Sequence, residues 1–307
     1  MTRANSSSID SNGNRIDSEG NHSCGTKSNT RDESQPKRDY SKKIEDVRSQ
    51  VKGHFTENPD LYDADDLEKV FTNDFYVCRF LRWCKGDIKK SVNMILKCFQ
   101  WRKSSGLIYR KPTDFPSEFY KSGGLFNYQP DLLGKPTLYM RAKFMHKVAE
   151  LDAPFKDFMA YKINEIDESC GKMASWTIII DCAEIGWANV CIDMLRYLIS
   201  IMSNYFPLGL KQVIVLDIPW ILDAIRKMIS SMLPEEALKV VTFTSRKKLP
   251  DFVDPKNSPD FVCGTCTVPY DQVPSGCKSF DELTDDFYNL NEKQLRKLTD
   301  LYKSVMS

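Results

Sequence analysis

The sequence predicts an α/β protein, with a mainly parallel sheet flanked by helices and a small all-helical subdomain in front of it. After Pro136, short apolar or β-branched runs alternate with helical patterns. This alternation is typical of buried parallel strands joined by crossover helices. Before about residue 105, apolar residues recur at the three- and four-residue spacing of a buried helix face. The chain therefore divides into a helical part and a sheet part.

Composition narrows the class of protein. The 307 residues include 43 Lys or Arg against 42 Asp or Glu, and 41% are hydrophobic. This composition is typical of a globular protein. The even number of basic and acidic residues argues against a protein whose main work is binding nucleic acid, because such proteins usually carry a basic excess. We find no pattern of a membrane-spanning helix and no secretory signal. We therefore expect a cytoplasmic protein with reduced cysteines, no metal and no cofactor.

The first third of the chain separates into a tail and a helical subdomain. Residues 1–38 are rich in Ser and Asn and poor in bulky apolar residues, so we expect a disordered tail. The helical subdomain is predicted over residues 39–110. Within it, Asp74 is expected to cap one helix, which Gly86 ends, and Asp87 is expected to start another.

The sheet part is predicted over residues 111–275. Frequent Pro and Gly residues between 112 and 134 indicate a linker at its start. Helical patterns at about 153–169 and 190–206 separate the strands that follow, and another helical pattern comes directly after the third strand. The predicted strands are Thr137–Arg141, Thr177–Asp181, Gln212–Asp217 and Val240–Thr244.

A helical extension is predicted over residues 276–307. Two sequence patterns of the capping-box type indicate helix starts in it, and they begin at Ser279 and Asn291. Apolar residues at helical spacing follow the second box, so we expect the longer helix there.

Candidate catalytic residues are few. Asp181 and Asp217 each end a predicted strand, and open parallel sheets bind their ligands at that edge. We favour a structural role, in which each carboxylate accepts hydrogen bonds from backbone N–H groups at the start of the next helix. The sequence has no glycine-rich phosphate loop and no G-x-S-x-G elbow. We predict a non-enzymatic protein without catalytic residues; an enzyme would need Asp181 or Asp217 for turnover.

The segment at 219–233 has an unusually wide apolar arc. Ile221, Ile225 and Ile229 lie on one helical face, and Arg226 and Lys227 lie opposite. A core helix, a groove for a partner, or a lid over an apolar cavity would each produce this pattern. From the pattern alone, a core helix ranks first.

Several motifs occur in the order of one known family. They are Phe80-Leu81-Arg82, Phe99-Gln100-Trp101-Arg102, Gly134-Lys135-Pro136, Ile178-Ile179-Ile180-Asp181, Tyr205-Phe206-Pro207 and Ile218-Pro219-Trp220. On these motifs the chain resembles the CRAL-TRIO lipid-binding family over about residues 60–270. The strings F-Q-W-R-K, D-I-P-W and K-V-V-T-F-T-S-R-K most closely resemble the CRAL-TRIO module of motile-sperm-domain-containing proteins, and we assign no segment to the motile-sperm domain itself.

The resemblance implies an apolar ligand pocket between the sheet and a mobile gate helix at about 219–233. The ligand would be a lipid or another hydrophobic small molecule. Neither strand face is distinguished by the sequence, because these strands are apolar on both sides. The expected pocket residues are Tyr139, Ile178, Ile180, Leu198, Met202, Ile214, Leu216, Trp220, Ile221, Ile225 and Ile229.

The resemblance also implies exchange of the ligand at membranes through opening of the gate helix. Basic residues would assist transient peripheral docking on anionic lipid. The expected docking residues are Arg226, Lys227, Arg246, Lys247 and Lys248.

A scaffold that keeps the fold and binds a protein partner at membranes is the alternative. In members of the family that transfer phosphatidylinositol, a Glu and a Lys hold the headgroup, and we align their positions with Leu208 and Val240. Because these two residues cannot replace an acid–base pair, we expect no phosphatidylinositol binding of that kind. A scaffold would not need such a headgroup site.

Overall fold

A five-stranded sheet lies at the centre of the described chain. The computed structural model describes residues 40–171, 175–219, 223–233, 235–284 and 286–306, so the predicted tail at 1–38 lies outside it. The strands neighbour one another in chain order, with β1 antiparallel to β2 and each following pair parallel. The strands are β1 (Leu125–Tyr128), β2 (Thr137–Arg141), β3 (Trp176–Asp181), β4 (Leu210–Leu216) and β5 (Val241–Thr244).

Helices precede the sheet and connect its strands, which confirms the predicted fold class. The described α-helices are α1 (Ser41–Glu57), α2 (Ala64–Thr72), α3 (Asp74–Trp83), α4 (Ile88–Ser104), α5 (Ser117–Lys121), α6 (Ala149–Ser169), α7 (Ile192–Tyr205), α8 (Asp223–Met232), α9 (Glu235–Leu238) and α10 (Glu292–Met306). The domain boundaries at residues 110 and 275 stay predictions.

The N-terminal helices α1 to α4 share one apolar core. Val47, Leu81, Ile95 and Phe99 are buried in it. Asp87 caps α4 as predicted, because its carboxylate accepts a hydrogen bond from the backbone N–H of Lys90. The prediction for α3 was wrong by one residue: its cap is Asn73, whose side chain accepts from the N–H of Tyr76.

A buried ion pair joins these helices to the sheet region. The guanidinium of Arg79 on α3 donates to both carboxylate oxygens of Asp167 on α6, at 2.7 and 2.9 Å. Its Nε donates to the carbonyl of Pro207, just before β4, at 2.8 Å. A buried guanidinium needs this many acceptors to offset its desolvation. The side chain of Arg79 therefore fixes three distant segments to one another.

The two ends of the sheet region differ from their predictions. The linker expected between 112 and 134 contains β1 and α5, so that expectation was wrong. Sequence patterns miss β1 because it is four residues long and has Gly124 directly before it. At the other end, the predicted capping box of Ser279 and Glu282 forms but starts only a single 3-10 turn. Asn291 forms the predicted capping box with Gln294 in front of α10.

The sheet separates two apolar layers. On one side, which we call the helix-covered face, Leu138, Ile178 and Val213 pack with α6, α7 and α10. On the opposite face, Tyr139 and Ile214 pack with side chains from the segment after β5. These are Leu249, Val253 and Val262, all of them buried.

Candidate functional site

Burial on the helix-covered face decreases steadily toward β5. Leu138, Ile178, Val213 and Val241 are register partners across four neighbouring strands. Their exposed fractions are 0%, 1% and 9% for the first three, while Val241 is half-buried. The covering helices therefore seal the sheet well over β2 and β3 and less well over β5.

A group of half-buried apolar residues marks this less covered region. Ile180, Met202, Val241 and Phe243 pack against the main core but each keeps part of its surface exposed. We call these four residues the α8 edge, because α8 approaches one of them: the guanidinium carbon of Arg226 is 5.8 Å from the ring centroid of Phe243. Apolar surface of this kind on a folded protein often marks a ligand or partner site.

Helix α8 itself is amphipathic and little buried. Its apolar residues Met228, Ile229 and Met232 are half-buried, whereas Arg226 and Lys227 are exposed. Of the helix predicted at 219–233, the structure describes the part from Asp223 to Met232. The predicted pocket residues Trp220 and Ile221, together with the side chain of Ile225, lie outside the described residues.

The predicted pocket residues divide between the two faces of the sheet. Ile178 and Leu198 lie in the core of the helix-covered face, and Ile180 and Met202 lie in the α8 edge. Ile229, on α8, is half-buried.

Three strand residues have to be removed from the predicted pocket. Tyr139, Ile214 and Leu216 point to the opposite face, where each has an exposed fraction of 0%. Side chains alternate between faces along a strand, and these three have the parity of Ile179. They therefore stabilise the layer formed by Leu249 and its neighbours, on the far side of the sheet from α8.

A partly buried charge cluster lies where three strands end. The guanidinium of Arg246, just after β5, donates to both oxygens of Asp181 at 2.9 and 2.8 Å. Its backbone N–H donates to the carboxylate of Asp217 at 3.2 Å, and its Nε lies 3.4 Å from the same carboxylate. The backbone of Asp217 has a φ of 50°, which is left-handed.

This cluster corrects the expectation for Arg246. Arg246 was expected to dock on membranes, but its side chain is only 25% exposed and is held by Asp181 and Asp217. The carboxylate of Asp181 also accepts from the N–H of Ala183 at 3.2 Å, which fits the structural role. Asp217 accepts from the backbone N–H of Arg246, and residues 220–222, at the start of the next helix, lie outside the described residues. One guanidinium thus offsets part of the charge of the two strand-end carboxylates.

The remaining predicted docking residues are exposed at one edge of the sheet. Lys247 and Lys248 follow β5, and Arg226 and Lys227 lie on α8, which follows β4. The carboxyl ends of parallel strands share an edge, so these segments emerge on the same side of the sheet. Sequence reasoning missed Trp187, which follows β3 at this edge and is 59% exposed. The sequence signal that could have found it is a Trp six residues after the end of β3, in a loop that contains Gly186.

A cavity of about 440 Å³ opens at the same edge of the sheet. It lies between residues 144–149, which follow β2, the first turns of α6, the start of α7 and Tyr302 of α10. Among its lining residues are His146 and Cys191. None of the predicted pocket residues that the structure describes belongs to this lining.

Comparison with known proteins identifies the fold family. A family model for the CRAL/TRIO domain matches residues 120–264. The chain is 22% identical to the Sec14 cytosolic factor of Schizosaccharomyces pombe over 233 residues, which is 68% of this chain and 79% of that protein. The crystal structure of Sfh5 aligns with a TM-score of 0.61 and 12% identity, covering 86% of this chain and 97% of that one.

These matches support a CRAL-TRIO family protein, with the CRAL/TRIO domain at residues 120–264. This family is typically non-enzymatic and binds lipophilic small molecules, so the match supports a lipid-binding role. The resemblance to the motile-sperm group stays a prediction. Within the described residues, no helix is long and apolar enough to cross a membrane.

Proposed function

We propose that this protein binds a lipid or similar hydrophobic molecule at the α8 edge and transfers it between membranes without chemical change. The observation that carries the proposal is the fall in burial from Leu138 to Val241 along one row of the sheet. Burying apolar side chains stabilises a protein by about 25 cal/mol per Å², so a bound hydrocarbon would gain free energy at this half-covered surface.

Gating by α8 is the second part of the proposal. The apolar residues of α8 are half-buried and its basic residues Arg226 and Lys227 are exposed. A helix with few buried contacts can open at low free-energy cost, which a lid requires. On opening, the apolar face of α8 would meet the interfacial region of a bilayer.

Docking is the third part. Arg226, Lys227, Lys247 and Lys248 are exposed on segments that leave the same edge of the sheet. Each basic residue near anionic lipid contributes about 1 kcal/mol. Trp187 is exposed at this edge too, and an amphipathic indole ring favours the membrane–water interface. We therefore propose this edge as a transient membrane-docking surface.

Ligand uptake tests the pocket. The purified protein is incubated with vesicles of a mixed cellular lipid extract and re-isolated, and the lipid extracted from it is quantified by mass spectrometry. Met202→Trp adds an indole to the α8 edge and should lower the bound lipid severalfold. Leu132→Trp places the same bulk on an exposed loop and should leave uptake unchanged.

Two outcomes would contradict the pocket. Equal uptake by Met202→Trp and the wild-type protein would move the ligand away from the α8 edge. A wild-type protein that takes up nothing would favour the scaffold that binds a protein partner. The unfolding midpoint of each variant is compared with that of the wild type, so that loss of fold is recognised.

Docking is tested with charge reversals of equal size. Lys247→Glu with Lys248→Glu should weaken capture by vesicles of phosphatidylcholine and phosphatidylserine by at least about tenfold, since each lysine contributes about 1 kcal/mol. Lys42→Glu with Lys52→Glu reverses two exposed charges on α1 and is the control. Equal loss in both double variants would show that net charge, and not this surface, governs capture.

A further inference from the structure

The outward face of helix α2 carries exposed apolar side chains. Leu61, which lies just before α2, is 47% exposed, and Phe71, in its last turn, is 40% exposed. Tyr109, in the turn after α4, is 60% exposed, and its hydroxyl donates to the carboxylate of Asp63, the N-cap of α2, at 3.2 Å. The side chain of Tyr109 therefore reaches the start of the helix. Exposed apolar side chains that are grouped on one surface often mark an interaction site.

The same face of α2 is acidic. Asp65, Glu68 and Phe71 follow one another at three-residue spacing, on the side of the helix opposite the buried Asp66 and Val70. Four carboxylates on this face or just before it have no ion-pair partner among the described residues: Asp60, Asp63, Asp65 and Glu68. Together with Leu61, Phe71 and Tyr109, they form what we call the α2 surface.

The cations beside the α2 surface leave it negative. The Nζ of Lys69 lies 3.4 Å from Asp66 and 2.8 Å from Glu168 on α6, and neither of these carboxylates belongs to the surface. Lys103 is half-buried, and its Nζ donates to the carbonyl of Tyr62 at 2.7 Å, so it offsets only part of the charge of the four carboxylates. The whole chain is close to neutral, but this surface is locally acidic.

The α2 surface lies near the opposite end of α6 from the edge that we propose as the docking surface. Glu168, in the last turn of α6, accepts from Lys69 of α2 at 2.8 Å. Arg102, which is 2.9 Å from Asp66 of α2, also lies 3.3 Å from Glu168. Helix α6 begins after the carboxyl end of β2, where the proposed docking edge is, and its 21 residues span about 30 Å. A protein docked through that edge would therefore hold the α2 surface away from the bilayer.

We propose that the α2 surface binds a partner protein through a basic amphipathic segment. Lys or Arg side chains of that segment meet the four carboxylates, and its apolar side chains cover Leu61, Phe71 and Tyr109. Charge complementarity identifies this occupant, because an anionic membrane would be repelled by the carboxylates. Residues 1–39 of this chain carry six basic and six acidic residues, so they have no basic excess to offer. The contact is additional to the proposed lipid binding and does not depend on it.

Binding of a synthetic peptide tests the proposal. The probe is a short, fluorescein-labelled peptide of Lys and Leu with its leucines at helical spacing, and fluorescence anisotropy measures its affinity for the full chain at low ionic strength. One reference peptide has Glu in place of every Lys, and another has Ser in place of every Leu. The Lys–Leu peptide should bind at least roughly tenfold more tightly than either. Hydrogen exchange of the complex should show new protection in α2.

Charge removal shows whether the four carboxylates hold the peptide. The triple variant Asp60→Asn, Asp65→Asn and Glu68→Gln should weaken binding roughly tenfold, because three exposed ion pairs are lost. Asp63 stays in place because its carboxylate caps α2. The control triple Asp251→Asn, Asp271→Asn and Asp300→Asn removes the same charge from other exposed positions and should change the affinity by less than about twofold.

Apolar truncation shows whether the contact is more than charge attraction. Leu61→Ser with Phe71→Ser should weaken binding roughly fivefold, since apolar area at the contact is lost. Leu132→Ser with Leu133→Ser is the control, because these leucines are 55% and 57% exposed in the turn between β1 and β2. All four residues are exposed, so the unfolding midpoints of both double variants should match the wild type.

Four results would overturn the proposal. Equal weakening by both charge triples would assign binding to net charge. Unchanged binding by the Leu61 and Phe71 double variant would leave only non-specific attraction. Protection in α8 and not in α2 would place the peptide at the α8 edge. Self-association of the wild-type chain in sedimentation, lost in the triple variant at α2, would identify a second copy as the occupant. Met202→Trp separates this surface from the proposed function, since it should lower lipid uptake and leave peptide binding unchanged.

Discussion

The two halves of the helix-covered face differ in how well they are packed. Over β2 and β3, helix α6 and its neighbours bury large aromatic residues: the rings of Phe119 and Phe158 are 5.1 Å apart, and Tyr302 of α10 lies 5.8 Å from Phe119. Over β5, every strand residue is half-buried. The well-packed half therefore supplies rigidity, and the half-covered side is where local opening costs least.

Hydrogen exchange should show the largest difference between the two halves. Backbone amides of α6 are expected to exchange only with global unfolding, which typically costs about 5–15 kcal/mol. Amides of α8 should exchange through local opening at a much lower free energy. The measurement is native-state exchange at several urea concentrations. Equal protection of α6 and α8 would remove the physical basis for a gate.

Matched truncations should give the next largest effect. Phe158→Ala removes a fully buried ring on α6 and should lower the free energy of unfolding by about 3–5 kcal/mol. Ile229→Ala truncates a half-buried residue on α8 and should cost about 1 kcal/mol. Urea denaturation followed by circular dichroism measures both. A cost for Ile229→Ala as large as that for Phe158→Ala would mean that α8 is an ordinary core helix.

Substitutions at the strand-end charge cluster should show whether Arg246 has a structural role or a docking role. Arg246→Ala leaves the carboxylate of Asp181 buried without its cation, so the free energy of unfolding should fall by about 3 kcal/mol. Lys247→Ala, at the next, exposed position, should stay within about 0.5 kcal/mol of the wild type. The same urea titrations check this. If the two substitutions were equally mild, the ion pair would contribute little and Arg246 would return to the docking surface.

A small pH effect is expected from the well-packed half. Burial lowers the pKa of His146, so below about 6.5 the unfolded chain binds a proton that the folded chain does not. Stability should therefore decrease as the pH falls from about 6.5 toward the pKa of the folded state, and level off below it. Lys147, Asp152 and Asp193 remain in His146→Gln, so the difference between the two unfolding profiles isolates His146. Parallel profiles would contradict the shift.

Much of the fold could be predicted because its patterns are local. The first and last residues of strand β2 were predicted correctly, since Pro136 precedes an apolar run that ends in Arg141. The caps at Asp87 and Asn291 were predicted because capping depends on residues three positions apart. Strand β1 was missed because a four-residue edge strand beside glycines resembles a loop in sequence.

The site could be predicted only in part, because it depends on long-range contacts. Apolar residues occupy both faces of the central strands, so the sequence could not separate Ile178, on the helix-covered face, from Ile214, on the opposite face. Arg246 begins a run of three basic residues and looks like its neighbours, but its partner Asp181 lies 65 positions earlier. The cavity lined by His146 depends on three separate segments of the chain and has no local pattern.

Native mass spectrometry of the protein purified from cells would show whether the chain carries a lipid. We expect a bound hydrophobic molecule of lipid mass at close to one per chain, and a lower occupancy in Met202→Trp. Extraction and fragmentation would then identify the molecule and show whether its headgroup is polar. A protein that is empty on purification and stays empty after incubation with mixed lipid vesicles would contradict a lipid-transfer function and favour a scaffold.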